Sequence, residues 1–89
     1  RNDAPPRIVF PPPNQTLRLL PGMDRGRQEV PLRADASRPG EPLSWFVNGD
    51  FVGTAPAEQR LWWTPRPGSY EILVMDQQGR AARQGLRVE

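Results

Sequence analysis

Three residue types are missing from this sequence: cysteine, histidine and lysine. Without cysteine the fold has no disulfide and no thiolate metal site. A cysteine-free chain fits the cytosol and the periplasm equally well. Without histidine, the commonest metal ligand and the commonest general base are both gone. Without lysine, all 12 basic residues are arginines, and they stand against 10 acids for a net charge of +2. The pI of 10.4 would suit a nucleic-acid binder. However, little titrates between the carboxylates and Tyr70 or the arginines, so a small excess of arginine carries the pI upward. The arginines are scattered among the acids and form no run, which argues against nucleic acid as a partner. Long apolar runs are absent as well, far short of the ~20 residues of a membrane span. No signal-peptide pattern is visible. The chain opens at Arg1 without methionine, so we expect a piece of a longer protein whose targeting signal lies elsewhere.

What the chain does have is proline and glycine, 12 and 8 residues respectively, with three tryptophans and three phenylalanines. That much proline and glycine approaches a disordered composition, but the aromatics and several short apolar runs can build a core. A chain of this size buries roughly 60–65% of its unfolded surface, enough for one domain of modest stability. Residues 1–6 read as a linker and 7–89 as the domain.

Within 7–89 the apolar pattern alternates with a period of two. "RIVF" (7–10) is a short strand closed by three prolines, which cannot donate to a ladder. "TLRLL" (16–20) turns Leu17 and Leu19 one way and stops at Pro21-Gly22. "QEVPLRADA" (28–36) places Val30, Leu32 and Ala34 on one face, with Pro31 suggesting an edge or a bulge. "LSWFV" (43–47) runs into Asn48-Gly49, a strong hairpin signal, and "FVGT" (51–54) returns. "LWWT" (61–64), "SYEILVMD" (69–76) and the closing "RAARQGLRVE" (80–89) supply the rest. No window has helical periodicity, and there is no internal repeat. The pattern predicts an all-β, Ig-like antiparallel β-sandwich of about seven or eight short strands. The Cys…Trp…Cys framework of antibody domains is absent, so the term describes architecture only.

Trp62 and Trp63 pose a specific problem. Neighbours on a strand point to opposite faces, so only one of them can be core. We expect Trp45 and Trp63 inside and Trp62 outside. Phe46, Leu73, Met75 and Phe51 join Trp62 at outward positions, where a solvated face should be polar. Arginine stems and the proline-rich opening segment could cover these residues. They could instead form a docking surface. A third possibility is sugar stacking on Trp62, with Arg60 and Arg66 holding carboxylates. Phe46, Phe51, Trp62, Leu73, Met75, Arg60 and Arg66 are therefore the candidate interaction residues.

Two segments, "PLSWFVNG" (42–49) and "WTPRPGSYEILVMDQQGRAA" (63–82), carry a resemblance, joined by the opening "RIVFPPPNQTLRLLPG" (7–22). Together they resemble the C-terminal domain of bifunctional penicillin-binding proteins of the 1C type over nearly the whole chain. One departure is Asn14-Gln15, where a glycine-bearing turn is expected. The resemblance implies a parent peptidoglycan synthase, anchored in the inner membrane and facing the periplasm, with its catalytic domains upstream. This segment would be the non-catalytic domain appended after them. The apolar outward face and the lack of catalytic groups lead us to expect a docking role, on the parent's transpeptidase domain or on a periplasmic protein, for which the resemblance suggests an α2-macroglobulin-like one; peptidoglycan, held by Trp62 amid the arginines, is the alternative ligand.

Chemistry is not expected in this segment. A transpeptidase needs Ser-x-x-Lys and Lys-Thr-Gly, and a lysine-free chain has neither. Ser37, Ser44 and Ser69 have no histidine or lysine to activate them. Asp24, Asp35, Asp50 and Asp76 fall at loops or strand ends and read as solvated turn carboxylates. Asp76 is expected to cap the Gln77-Gln78-Gly79 turn through its side chain. No Asp-x-Asp cluster suggests calcium. No cofactor or metal is expected.

Overall fold

The computed structural model describes residues 4–22 and 28–89. Among the described residues eight strands are formed: β1 Arg7–Phe10, β2 Thr16–Leu17, β3 Val30–Asp35, β4 Pro42–Val47, β5 Asp50–Pro56, β6 Leu61–Trp63, β7 Gly68–Met75 and β8 Ala81–Val88. They make a three-stranded sheet, β1-β3-β6, and a five-stranded sheet, β2-β8-β7-β4-β5. Among the described residues no helix is long and apolar enough to cross a membrane.

The period-two pattern explains the packing. Val30, Leu32 and Ala34 of β3 face Leu43, Trp45 and Val47 of β4, Ile72 and Val74 of β7, and Leu86 and Val88 of β8, and all are buried. Trp45 is 1% exposed at the centre of this core. Filling such a site with alanine instead costs about 3–5 kcal/mol.

Asn48-Gly49 makes the β4–β5 turn with φ of 51° and 84°. Positive φ at both positions is what a two-residue turn of the primed type requires. Asn48 does more than turn the chain. Its Oδ1 accepts from the Glu71 N–H at 2.8 Å, and its own N–H donates to the Glu71 carbonyl at 2.9 Å. The hairpin is thereby tied to β7. Beyond the turn the β4–β5 register shifts, with Phe46 opposite Phe51 and Trp45 opposite Gly53. Asn14 has φ of 60°. It occupies the left-handed conformation that glycine would adopt, and asparagine tolerates it. The departure at Asn14-Gln15 therefore costs the turn little.

Two expectations shift in detail. The "TLRLL" segment is a strand only over Thr16–Leu17, and β2 pairs with β8 in parallel, alone among antiparallel neighbours. The chain still alternates past Leu17, because Leu19 N–H donates to the Glu89 carbonyl and Glu89 N–H to the Leu17 carbonyl. Pro31 lies in the middle strand of its sheet, yet it has a neighbour on one side only. β1 reaches no further than Arg33, while β6 covers Val30 to Leu32. The bulge on that side is in β1, between Ile8 and Phe10.

Residues at the start of the domain are already held. Pro6 is buried, and the Ser37 hydroxyl donates to the Ala4 carbonyl at 2.9 Å. β1 ends at a cis Phe10–Pro11 bond, where the Gln84 side-chain amide donates to the Pro11 carbonyl.

Candidate functional site

The candidate residues divide between the two outer faces of the sandwich. On the five-stranded sheet the register aligns Phe51, Phe46, Leu73 and Arg83 in one row across β5, β4, β7 and β8. The adjoining row is Thr54, Ser44, Met75 and Ala81. Phe46 and Phe51 touch edge-to-face, with ring centroids 5.6 Å apart at 61°. Phe51 is 60% exposed, while Phe46, Leu73 and Met75 are half-buried by each other and by their neighbours. These residues form an apolar stripe on a sheet face that should be polar if it met only water.

Trp62 is not part of that stripe. It lies on β6, in the other sheet, paired with Pro31, and is 53% exposed. This corrects the picture of one outward apolar surface. Parity within a strand fixes inside against outside, but it does not tell which sheet the strand joins. Arg60 is exposed beside Trp62 and shares a cleft with it, together with Arg33, Glu58 and Gln59. Arg66 stands elsewhere, in a cleft with Trp63, Tyr70 and the β4–β5 turn residues Asn48 and Asp50. Arg60 and Arg66 thus do not flank Trp62 as a pair.

Trp63 turns inward and is half-buried. Its ring meets Tyr70 edge-to-face at 4.9 Å and 89°. The Tyr70 hydroxyl donates to the Arg66 carbonyl at 2.6 Å and accepts from the Arg66 N–H at 3.1 Å. This closes the corner between β6 and β7. A tyrosine at the start of a strand, bonded to backbone just upstream, is a recurrent corner of β-sandwich domains.

Asp76 caps the β7–β8 turn, as its position suggested. Its Oδ1 accepts the N–H groups of Gln78 and Arg80, both at 2.9 Å, and its Oδ2 accepts from Arg80 Nε at 2.9 Å. Burial works against ionising this carboxyl. The hydrogen bonds from the Arg80 side chain and from the Arg80 and Gln78 backbones, with the Arg80 charge, more than offset it. They hold the carboxyl below its ordinary value of 3.8. Asp24 lies outside the described residues. Among those described, no three acidic side chains converge where a metal ion could bind.

Sequence reasoning missed Arg33, Glu58 and Gln59. Arg33 reads as an ordinary outward arginine of β3 until the fold places it in one cleft with Arg60 and Trp62. Its Nε is buried with no hydrogen-bond partner.

The strand order, the core tryptophan on β4 and the tyrosine corner define a class. The chain is similar to fibronectin(III)-like modules of Clostridium thermocellum CbhA, with a TM-score of 0.64 over 93% of this chain and 92% of that one. At 18% identity the likeness is one of fold alone. The protein is thus an Ig-like, fibronectin III-type β-sandwich. The model of the penicillin-binding protein C-terminus family matches residues 1–88, and the chain belongs to that family. A comparison with curated protein sequences finds no significant match.

Proposed function

We propose that this domain is a non-catalytic docking module of a bifunctional peptidoglycan synthase in the periplasm, and that it binds the transpeptidase domain of its own parent chain. The supporting observation is the Phe51–Phe46–Leu73 row, with Met75 beside it, on the outer face of the five-stranded sheet. An apolar stripe on a two-layer domain is a surface in want of a protein partner. Arg83 closes the row and supplies the polar rim that such interfaces have. The membership in a penicillin-binding protein family points to the parent.

The test is a titration of the 89-residue chain against the parent transpeptidase domain. Phe46→Ser with Leu73→Ser should weaken binding at least about tenfold, since apolar anchors near an interface centre carry most of its energy. Unfolding should stay cooperative. Unchanged affinity would sink the transpeptidase as the partner of this surface. If the same substitutions then weaken binding to an α2-macroglobulin-like periplasmic protein, the surface stands with that partner, and if they weaken neither, the surface falls.

A second reading, glycan binding through Trp62, is supported by the cleft that Trp62 shares with Arg60 and Arg33. It uses the opposite face, so the two readings do not compete for residues.

A further inference from the structure

The outer face of the three-stranded sheet carries an arrangement that the docking stripe does not use. Pro31 is opposite Trp62 and Leu32 opposite Leu61. Arg60, the residue before β6, shares one cleft with Arg33 of β3. Two like charges held close together repel one another. Neither arginine has an ion-pair partner among the described residues. The acid two residues along β3, Asp35, is held by Arg7 at 3.4 Å. Arg33 Nε is buried without a hydrogen-bond partner, so the charge of this guanidinium at the cleft is incompletely compensated.

The cleft around these groups is pre-formed. It is an open groove of about 410 Å³ between Arg33, Glu58, Gln59, Arg60 and Trp62. The loop that forms its wall is fixed by two backbone bonds, from Ala57 N–H to the Glu41 carbonyl and from Glu58 N–H to the Ala34 carbonyl, both 2.8 Å. Glu58 is held there at a φ of 73°. Trp62 presents one exposed aromatic surface and makes no ring contact with another aromatic side chain. Two arginines against the single acid Glu58 leave the cleft net positive.

We propose that this cleft binds an acidic saccharide, with a sugar ring stacked on Trp62 and its carboxylate held between Arg60 and Arg33. A carboxylate between the two guanidinium groups would relieve their repulsion through charge-assisted bonds. Glu58 and Gln59 offer an acceptor and an amide to ring hydroxyls and N-acyl groups. The proposal deepens the glycan reading above and is independent of the docking stripe.

The test follows the Trp62 indole N–H by NMR while the 89-residue chain is titrated with N-acetylmuramic acid and, separately, N-acetylglucosamine. The two sugars share a ring and differ by the 3-O-lactyl group that carries the carboxylate. The acidic sugar should give saturable shifts at Trp62 and at the backbone of residues 58–60. The neutral sugar should bind about tenfold more weakly, the effect expected of one hydrogen-bonded charge. Trp62→Ala should abolish the backbone shifts at residues 58–60, Arg60→Gln should erase the preference for the acidic sugar, and Arg66→Gln should change neither. Equal binding of both sugars would overturn the acidic-saccharide assignment while leaving glycan binding in place. No shift with either sugar, at concentrations approaching solubility, would overturn both.

Discussion

Asp76 and Tyr70 each fix a corner of the sandwich with a single side chain, in chemically different ways. The Asp76 side chain is 2% exposed and accepts three hydrogen bonds. Asp76→Ala would orphan two backbone donors and remove the acceptor of Arg80 Nε, at about 2 kcal/mol or more. Because its folded pKa is depressed, the stability it contributes is present in full above the unfolded value. It is lost as the pH falls through the folded value, since there the unfolded chain binds the proton first. Denaturant unfolding should therefore show constant stability from this group above roughly pH 5 and a decline below roughly pH 4. Asp76→Asn should lack that component of the decline. Tyr70→Phe keeps the ring contact with Trp63 and removes only the hydroxyl bonds to Arg66. We expect a loss of about 1 kcal/mol, read as a lower denaturation midpoint with an unchanged slope. The Asp76 cap was legible in the sequence, because an aspartate before Gln-Gln-Gly has a backbone to bond within its own turn. The Tyr70 bond was not read there, because the hydroxyl partner is fixed by how the Pro65–Pro67 segment bends.

Among the elements, the β4–β5 hairpin was the clearest in the sequence. Asn48-Gly49 needs only local backbone preference to turn, and Val47 and Asp50 pair directly across it. Asn48 combines two roles that substitutions can separate. Asn48→Gly keeps the positive φ and loses the acceptor for the Glu71 N–H, for about 0.5–1.5 kcal/mol. Asn48→Val loses both, and a β-branched side chain at positive φ adds roughly a further 1 kcal/mol or more. Thermal unfolding should rank wild type, then Gly, then Val. If Val equals Gly, the turn conformation is not what the asparagine supplies. The weaker elements were those whose partners lie far along the chain. β2 shortens to two residues and pairs in parallel with β8 at the other end of the sequence. No local pattern encodes that choice. Pro31 could be assigned an edge or a bulge from chemistry alone, but which neighbour is missing depends on where β1 stops.

At the scale of the whole molecule, the decisive fact is that the two groups of exposed apolar residues sit on opposite sides of a two-layer domain. Sheets in such a sandwich pack about 10 Å apart, and the buried core lies between the stripe on β4, β5 and β7 and the cleft on β3 and β6. Phe46→Ser and Trp62→Ala should therefore act independently. Their effects on unfolding free energy should add within about 0.5 kcal/mol. A double mutant that departs from additivity by more than that would mean the two faces communicate through the core. The sequence by itself determined the all-β class, most of the strands, the inward set from Val30 to Val88, the turns at Asn48 and Asp76, and the opposite parity of Trp62 and Trp63. Each of these follows from neighbours a few residues apart, through the period-two geometry of a strand and the local bonding of a turn. Only the tertiary structure decided which sheet each strand joins. That choice separates Trp62 from Phe46, sends Arg66 to another cleft, and brings Arg33 beside Arg60. It depends on long-range strand pairing, set by how the whole core fills, and an alternating pattern is the same on either sheet.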